Sequence, residues 1–228
     1  MDTLCIDIGG TGLKAMIFDE AGAQRGERVR VLTPRPATPD AVLGAVLPAI
    51  APLGAFDRIA VGFPGVVVDG VTRTAPNLDP SWSDFPLAAE LEKRTGKPAR
   101  VANDAGVQGL AVIEGHGTEL VITLGTGMGF ALYIDGHYVP NIEMAHHPFE
   151  KGKTYEERVS DAERKDIGNK RWRARVARVI AQLQPIFNYR RLYLGGGNAQ
   201  RLEKDTLPAD VTVVENVAGL LGGLKLWQ

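Results

Sequence analysis

The chain has a single cysteine, Cys5, in 228 residues. That excludes an internal disulfide framework and any all-cysteine zinc knuckle. No apolar run approaches the roughly 20 residues of a membrane-spanning helix. Neither sign of charge dominates: 26 Lys and Arg stand against 27 Asp and Glu, for a formal net charge of −1. A global basic footprint for nucleic acid is therefore missing, and only local patches remain open. The first residues, MDTLCIDIGG, lack a basic segment and a long apolar core, so they do not read as a secretory signal. The expectation is a soluble, cytoplasmic protein with neither a nucleic-acid nor a membrane partner. Low-complexity segments are absent too, and a chain of this length can bury a core without metal or disulfides.

What the sequence does have is glycine and proline, 27 and 14 of them, in clusters. Residues 3–8 and 12–18 are apolar, strand-like runs on either side of Gly9-Gly10-Thr11-Gly12, which reads as a tight turn. A strand over 27–34 follows, then a helix from a Thr38 or Asp40 cap to about Ile50. A buried strand over 58–63 leads to a short hairpin and loop over 66–85. A helix over 87–95, ended by Gly96 and Pro98, precedes the strand ARVAND and a helix over 105–114. The pattern then restarts. A strand over 119–124 runs into Gly125-Thr126-Gly127-Met128-Gly129, and Asp135-Gly136 marks a hairpin beyond it. A unit of strand, Gly-Thr-Gly turn and strand thus occurs twice, near 5–18 and 120–134. Residues 155–183 read as a long charged helical stretch, and RRLYLGGGNA as a strand opening through Gly195-Gly196-Gly197 into a helix. VTVVEN is a closing strand and AGLLGGLKLW a small-residue helix. The fold class is α/β, with the domain boundary set after Asp104: 1–104 and 105–228.

The chemistry sits at these glycine clusters. In Asp7-x-Gly9-Gly10-Thr11-Gly12-x-Lys14, glycines let backbone N–H groups approach a phosphate, Thr11 adds a hydroxyl and Lys14 a charge. Asp7, at a strand end, can face a phosphate-bound cation directly or through water. The spacing is not that of a Walker A loop, and a strand rather than a helix follows, so it is not a dinucleotide fingerprint either. Gly125, Thr126 and Gly127 repeat the device, and Gly195, Gly196 and Gly197 would place a helix N-terminus before an anion. Asp104 at a strand end is a candidate general base, and Asn103 beside it can orient a hydroxyl-rich substrate; the plainer reading is a helix cap. Glu143-x-x-His146 can bind vicinal hydroxyls, whereas two ligands without a nearby cysteine make a poor structural zinc site. Asn77 and Trp82 can meet a sugar through an amide and an aromatic face, or serve a turn and the core. Arg164, Lys165, Lys170, Arg171, Arg173, Arg175 and Arg178 crowd one helical stretch, as a solvated face or as a track for a long polyanion.

DIGGTGLK, VGFPGVV, RTAPNL, VANDA, TLGTGMG, E-x-x-H and LGGGNA run in this order along the chain. Together they resemble the ROK family of bacterial sugar kinases, in the actin-like ATPase superfamily, and most of all its polyphosphate-using glucokinases. The resemblance implies two actin-like (ribonuclease H-like) α/β domains around a cleft, and phosphoryl transfer from polyphosphate, ATP or both to the 6-hydroxyl of glucose. It assigns the catalytic base to Asp104, and sugar binding to Asn103, Glu143, His146 and Asn77. It assigns phosphate or nucleotide binding to Asp7, Gly9, Gly10, Thr11, Lys14 and the later glycines, with Mg²⁺ near Asp7, and it implies a homodimer. Ala145 stands where the family has a glycine, and HHPFEKGKT replaces its cysteine-rich motif, so no zinc is expected. A kinase for another hexose or an N-acylhexosamine, and a non-catalytic sugar-binding protein, are the alternatives.

Overall fold

Two five-stranded sheets laid out in the same order frame the molecule. The structure, a computed structural model, describes residues 1–214 and 220–228. It divides into two units, Met1–Ala111 with Ala218–Gln228, and Val112–Val217.

In the first unit β1 (Thr3–Ile8), β2 (Gly12–Phe18) and β3 (Gln24–Leu32) form an antiparallel meander. Helix α1 (Pro39–Ile50) leads to β4 (Arg58–Phe63), parallel to β1. A short hairpin of β5 (Val67–Val68) and β6 (Val71–Thr72) precedes α2 (Leu87–Thr95), β7 (Ala99–Asn103) and α3 (Asp104–Leu110). The sheet order is β3-β2-β1-β4-β7. β1 is buried along its whole length, because both faces of the sheet are covered. One face packs Leu4, Ile6, Leu13 and Ile17 against Val42 and Leu43 of α1 and Leu87 and Leu91 of α2. Thr38 caps α1 with its hydroxyl, Pro39 opens it, and Gly96 in the left-handed region closes α2.

The other face packs Cys5, Met16, Phe18 and Ala60 against Leu220 and Leu224 at the C-terminus. There the chain forms a 3₁₀ helix, Leu221–Trp227. A side chain at Gly223 would meet the Cys5 sulfur at 2.8 Å, which explains the small residues of this segment. Burial pushes the Cys5 thiol up to about 12, so it stays an unreactive packing group.

The second unit repeats the scheme. β8 (Thr118–Leu124), β9 (Met128–Ile134) and β10 (His137–Val139) form the meander. A hairpin of β11 (Pro148–Glu150) and β12 (Lys153–Thr154) precedes α4 (Tyr155–Val159), α5 (Asp161–Ile167) and α6 (Asn169–Phe187). β13 (Arg191–Gly195) and β14 (Val211–Val213) continue the sheet in parallel, giving β10-β9-β8-β13-β14. Trp172 and Leu183 of α6 are fully buried against this sheet, and the Trp172 indole donates to the Val159 carbonyl at 2.9 Å.

Several expectations need correction. The long helical stretch is three helices: extended Ser160 caps α5 with its hydroxyl, and Gly168, at φ 79°, precedes α6. Helix α3 stops at Leu110, because the fully buried Glu119 carboxylate accepts the N–H groups of Glu114, Gly115 and His116 and holds them as a loop. Only a 3₁₀ turn, Ala199–Arg201, follows Gly195–Gly197, so no α-helix N-terminus stands behind that cluster. Of the expected closing elements, Glu215, Asn216, Ala218 and Gly219 lie outside the described residues. The unit division also differs from a boundary at Asp104: α3 stays with the first unit, and the C-terminal 3₁₀ helix packs back onto it, Gly222 lying against the Val107 carbonyl.

Candidate active site

Three parallel strands of the first sheet end at one edge. Register pairs Asp7 with Gly62 and Phe63 with Asn103, so the glycine turn, the Pro64-Gly65 bend and Asn103-Asp104 share it. Open α/β sheets bind ligands at the carboxyl ends of their strands. The turn is closed by the Gly9 N–H donating to the Gly12 carbonyl at 3.1 Å. Its carbonyls are tied back by the segment after β3: Thr33 Oγ1 donates to Gly9 O at 2.5 Å and Arg35 to Gly10 O at 2.7 Å. The Gly10 and Thr11 N–H groups have no acceptor among the described residues. Two consecutive outward N–H groups make an anion-binding concavity. A side chain at Gly9 would stand 2.8 Å from the Gly12 oxygen, so that position admits only glycine.

Lys14 lies across the ladder from Asp7 and donates to its Oδ2 at 2.8 Å. Asp7 is nearly buried, and its Oδ1 has no protein partner among the described residues. Asn77 packs beside the turn, its backbone oxygen 3.1 Å from where a Gly10 Cβ would be. Asn103 caps α3, its Oδ1 accepting from Ala105 and Gly106 while its amide donates to Gly65 O at 3.2 Å. Asp104 is the first residue of α3 and stands against Gly62, where a Cβ would meet its Cα at 3.4 Å. Trp82 is fully buried between Phe63 and Phe85, and its indole donates to Ala37 O; it is a core residue, not a sugar platform.

In the second unit, β8 and β13 end side by side, with Gly195 in register with Thr123. Gly125 N–H donates to Gly127 O at 3.0 Å, and again two consecutive N–H groups, of Thr126 and Gly127, lack an acceptor among the described residues. Gly196, at φ 85°, lies directly on the Leu124 backbone. This brings the glycines of 195–197 to the second turn as a structural support rather than as a helix end.

Three residues that the motifs did not single out complete this turn. Asn198 donates to Gly125 O at 3.2 Å and to Asp161 Oδ1 at 3.1 Å. The Asp161 N–H donates to the carbonyls of Gly125 and Thr126. Lys165, then Arg164 and Asn198, hold the Asp161 carboxyl well below the usual carboxylate range. Glu156 lies against Gly127 and accepts the Met128 N–H at 3.2 Å. Asn198 belongs to the LGGGNA motif, which was read for its glycines, and Glu156 and Asp161 lie in the helical stretch read as a charged face.

Glu143 precedes and His146 ends a 3₁₀ turn, Met144–His146, whose pitch puts residues three apart on one side. His146 Nε2 is 3.5 Å from Glu143 Oε2, and both are substantially exposed. Ala145 points into the core and is nearly buried there, so its extra methyl is accommodated away from the pair. α4 packs on this turn, which places Glu156 in the same neighbourhood. Among the described residues no group of three or more His, Cys, Asp or Glu side chains is placed to hold a metal ion.

The charged helices are not a free cationic face. Arg175, mostly buried, pairs with Glu163 and Glu150; Arg158 pairs with the same two acids, and Arg178 with Glu150. Arg164 and Lys165 pair with Asp161, and Arg173 with Glu203. Only Lys170 and Arg171 of the seven cations lack an acidic partner among the described residues.

Comparison with known proteins agrees with this architecture. A family model described as ROK family matches residues 3–147. A polyphosphate glucokinase of Mycobacterium tuberculosis (strain CDC 1551 / Oshkosh) is 33% identical over 236 residues, covering 95% of this chain and 88% of that protein. The crystal structure of an inorganic polyphosphate/ATP-glucomannokinase from Arthrobacter sp. strain KM aligns with a TM-score of 0.86 at 34% identity, covering 100% of this chain and 99% of that one. A ROK family glucokinase from Streptomyces griseus, solved with glucose and AMPPNP, aligns with a TM-score of 0.82 at 21% identity over 99% of both chains, a likeness of fold. The fold class is thus α/β with two actin-like domains.

Proposed function

This chain belongs to the ROK family, and on that premise we propose that it is a glucokinase that transfers a phosphoryl group from polyphosphate or ATP to the 6-hydroxyl of glucose. The observation that carries the reading is the glycine turn with two outward N–H groups on the same sheet edge as Asp104. Phosphoryl transfer asks mainly for positioning and charge neutralisation. The Gly10 and Thr11 N–H groups receive phosphate oxygens of the donor, and the Thr126 and Gly127 pair does the same. Asp104 accepts the proton of the attacking hydroxyl. Asn103 is held by its capping bonds, which fixes its amide; with Asn77, Glu143 and His146 it binds the sugar hydroxyls. Lys14 orients the Asp7 carboxylate through its bond to Oδ2.

Mg²⁺ fits this donor set. One nearly buried carboxylate with an open oxygen suits an ion that keeps most of its waters and takes its other ligands from phosphates. Asp7 would hold it through water, and the ion would neutralise charge on the donor. Family membership is also the ground for a homodimer working in the cytoplasm; among the described residues no helix is long and apolar enough to cross a membrane.

The test is glucose 6-phosphate formation with Mg²⁺, polyphosphate and ATP being compared in parallel. Asp104→Asn should lower kcat by roughly 10²–10⁴ while calorimetric glucose binding stays near wild type. Near-normal turnover of that variant would remove the base assignment. The Arthrobacter relative is a glucomannokinase, so mannose is the second acceptor to assay.

A further inference from the structure

The first glycine turn is continued by a cationic row whose arginines no motif contains. The ladder sets Asp7 opposite Lys14, and Lys14 opposite Arg30 on β3, which is the edge of its sheet. Arg30 reaches the turn itself: a Cβ at Gly12 would stand 3.7 Å from its Nε. On β3 the half-buried Val29 and Val31 pack toward the core, which leaves Arg28 and Arg30 exposed on the opposite face. That face also carries Asp7 and Lys14. Arg28 stands two residues along from Arg30, a step of about 6.5–7 Å, where the β2–β3 ladder shifts register between Ala15 and Ile17, so the row leads away from the turn in a step that a linear polyanion can follow. Arg35 closes the near end, gripping the Gly10 carbonyl.

The ion pairing makes the row distinctive. Arg28 and Arg30 have no acidic partner among the described residues, and the one acid in the row, Asp7, is engaged by Lys14. Charge on an edge strand also blocks strand addition. That purpose needs charge anywhere along the edge, whereas these two cations share the face of the phosphate turn. The helical arginines, by contrast, are mostly spent on Glu150, Asp161, Glu163 and Glu203.

We propose that Arg30 and Arg28, continuing from Lys14, hold the distal phosphates of a long polyphosphate whose end group occupies the Gly10–Thr11 turn. The inference rests on the kinase reading above for the identity of the polyanion, and places its path on β3 rather than on α6.

The experiment is direct binding of labelled polyphosphate, measured apart from turnover across a salt series. Long-chain polyphosphate and tripolyphosphate are compared on wild type, on the double variant Arg28→Ala with Arg30→Ala, and on Lys170→Ala with Arg171→Ala. The β3 variant should bind the long chain about tenfold more weakly, with a salt dependence shallower by about 1.5 units in log–log slope, while tripolyphosphate changes by no more than about twofold. The α6 variant should match wild type. Unchanged long-chain binding by the β3 variant, an equal loss for tripolyphosphate, or a loss confined to the α6 variant would each overturn the row. Wild-type protein that binds the long chain through β3 yet transfers nothing would uphold the row and sink the kinase reading. Protein that turns over ATP but binds no polyphosphate would do the reverse.

Discussion

The two glycine turns have the same backbone and opposite surroundings. Each ends the first strand of a five-stranded sheet, each is followed by an antiparallel strand, and each leaves two consecutive N–H groups without an acceptor among the described residues. Around the first stand Lys14, Arg30 and Arg35. Around the second stand Glu156, Asp161 and Asn198, and the nearby cations Arg164 and Lys165 are bound to Asp161. A duplicated scaffold thus carries one turn set to attract an anion and one whose neighbouring charges are already satisfied. The backbone alone does not decide how strongly such a turn draws a phosphate; the charge supplied by adjoining segments does.

The sharpest way to break the comparison is at the support of the second turn. Gly196→Ala puts a methyl into the Leu124 backbone, at a φ of 85° that non-glycine residues resist. Left-handed strain and overpacking together should cost roughly 4 kcal/mol, a large part of the stability of a typical domain. Gly197→Ala, which has open space around its position, should be nearly neutral. Thermal unfolding of the two variants checks this, and a Gly196→Ala protein as stable as wild type would show that the third cluster does not brace the turn.

How much of this was legible depended on the range of the interaction. Strands, turns and their duplication are written locally, in Gly9–Gly12, Gly125–Gly129 and the apolar runs beside them. Asn103 was readable both as a cap and as a polar group, and it has the contacts of a cap. The helical cations were open between a paired face and a polyanion track; Arg164 and Lys165 pair within α5, but the partners of the α6 arginines lie outside that helix, Glu150 in the β11 hairpin, Glu163 in α5 and Glu203 in the segment after β13. Trp82 was open between a sugar contact and the core, and only the structure selects the core, since the Ala37 carbonyl that satisfies its indole is 45 residues away. Arg30 was invisible because its place beside Gly12 is a matter of strand register, which a three-residue slip in the assumed start of β3 conceals.

The arginines of the two regions should therefore differ in what their loss does. Arg175→Ala removes one partner from a mostly buried cluster and leaves Glu163 and Glu150 short of a counter-charge. Breaking such a pair costs about 3 kcal/mol. Arg30→Ala, exposed and without an acidic partner among the described residues, should stay within about 0.5 kcal/mol of wild type. Urea denaturation midpoints separate the two. Equal destabilisation would mean that β3 uses its arginine for structure as α6 does, and the contrast between the regions would fail.

The smallest expected effect tests what stands over each turn. At Gly127 a Cβ would lie 2.5 Å from the Glu156 carboxylate oxygen and 2.8 Å from its Cδ, the far end of a flexible side chain. At Gly9 the obstacle is the Gly12 backbone oxygen at 2.8 Å, which cannot move without opening the turn. Gly127→Ala should thus cost about 1–2 kcal/mol, and adding Glu156→Ala should recover most of that loss beyond the cost of Glu156→Ala alone. No side-chain deletion should rescue Gly9→Ala in the same way. A double-mutant cycle on unfolding free energy measures the coupling. A value near zero would mean that Glu156 does not rest on Gly127, and the contrast between the two turns would then stand on Asp161 and Asn198 alone.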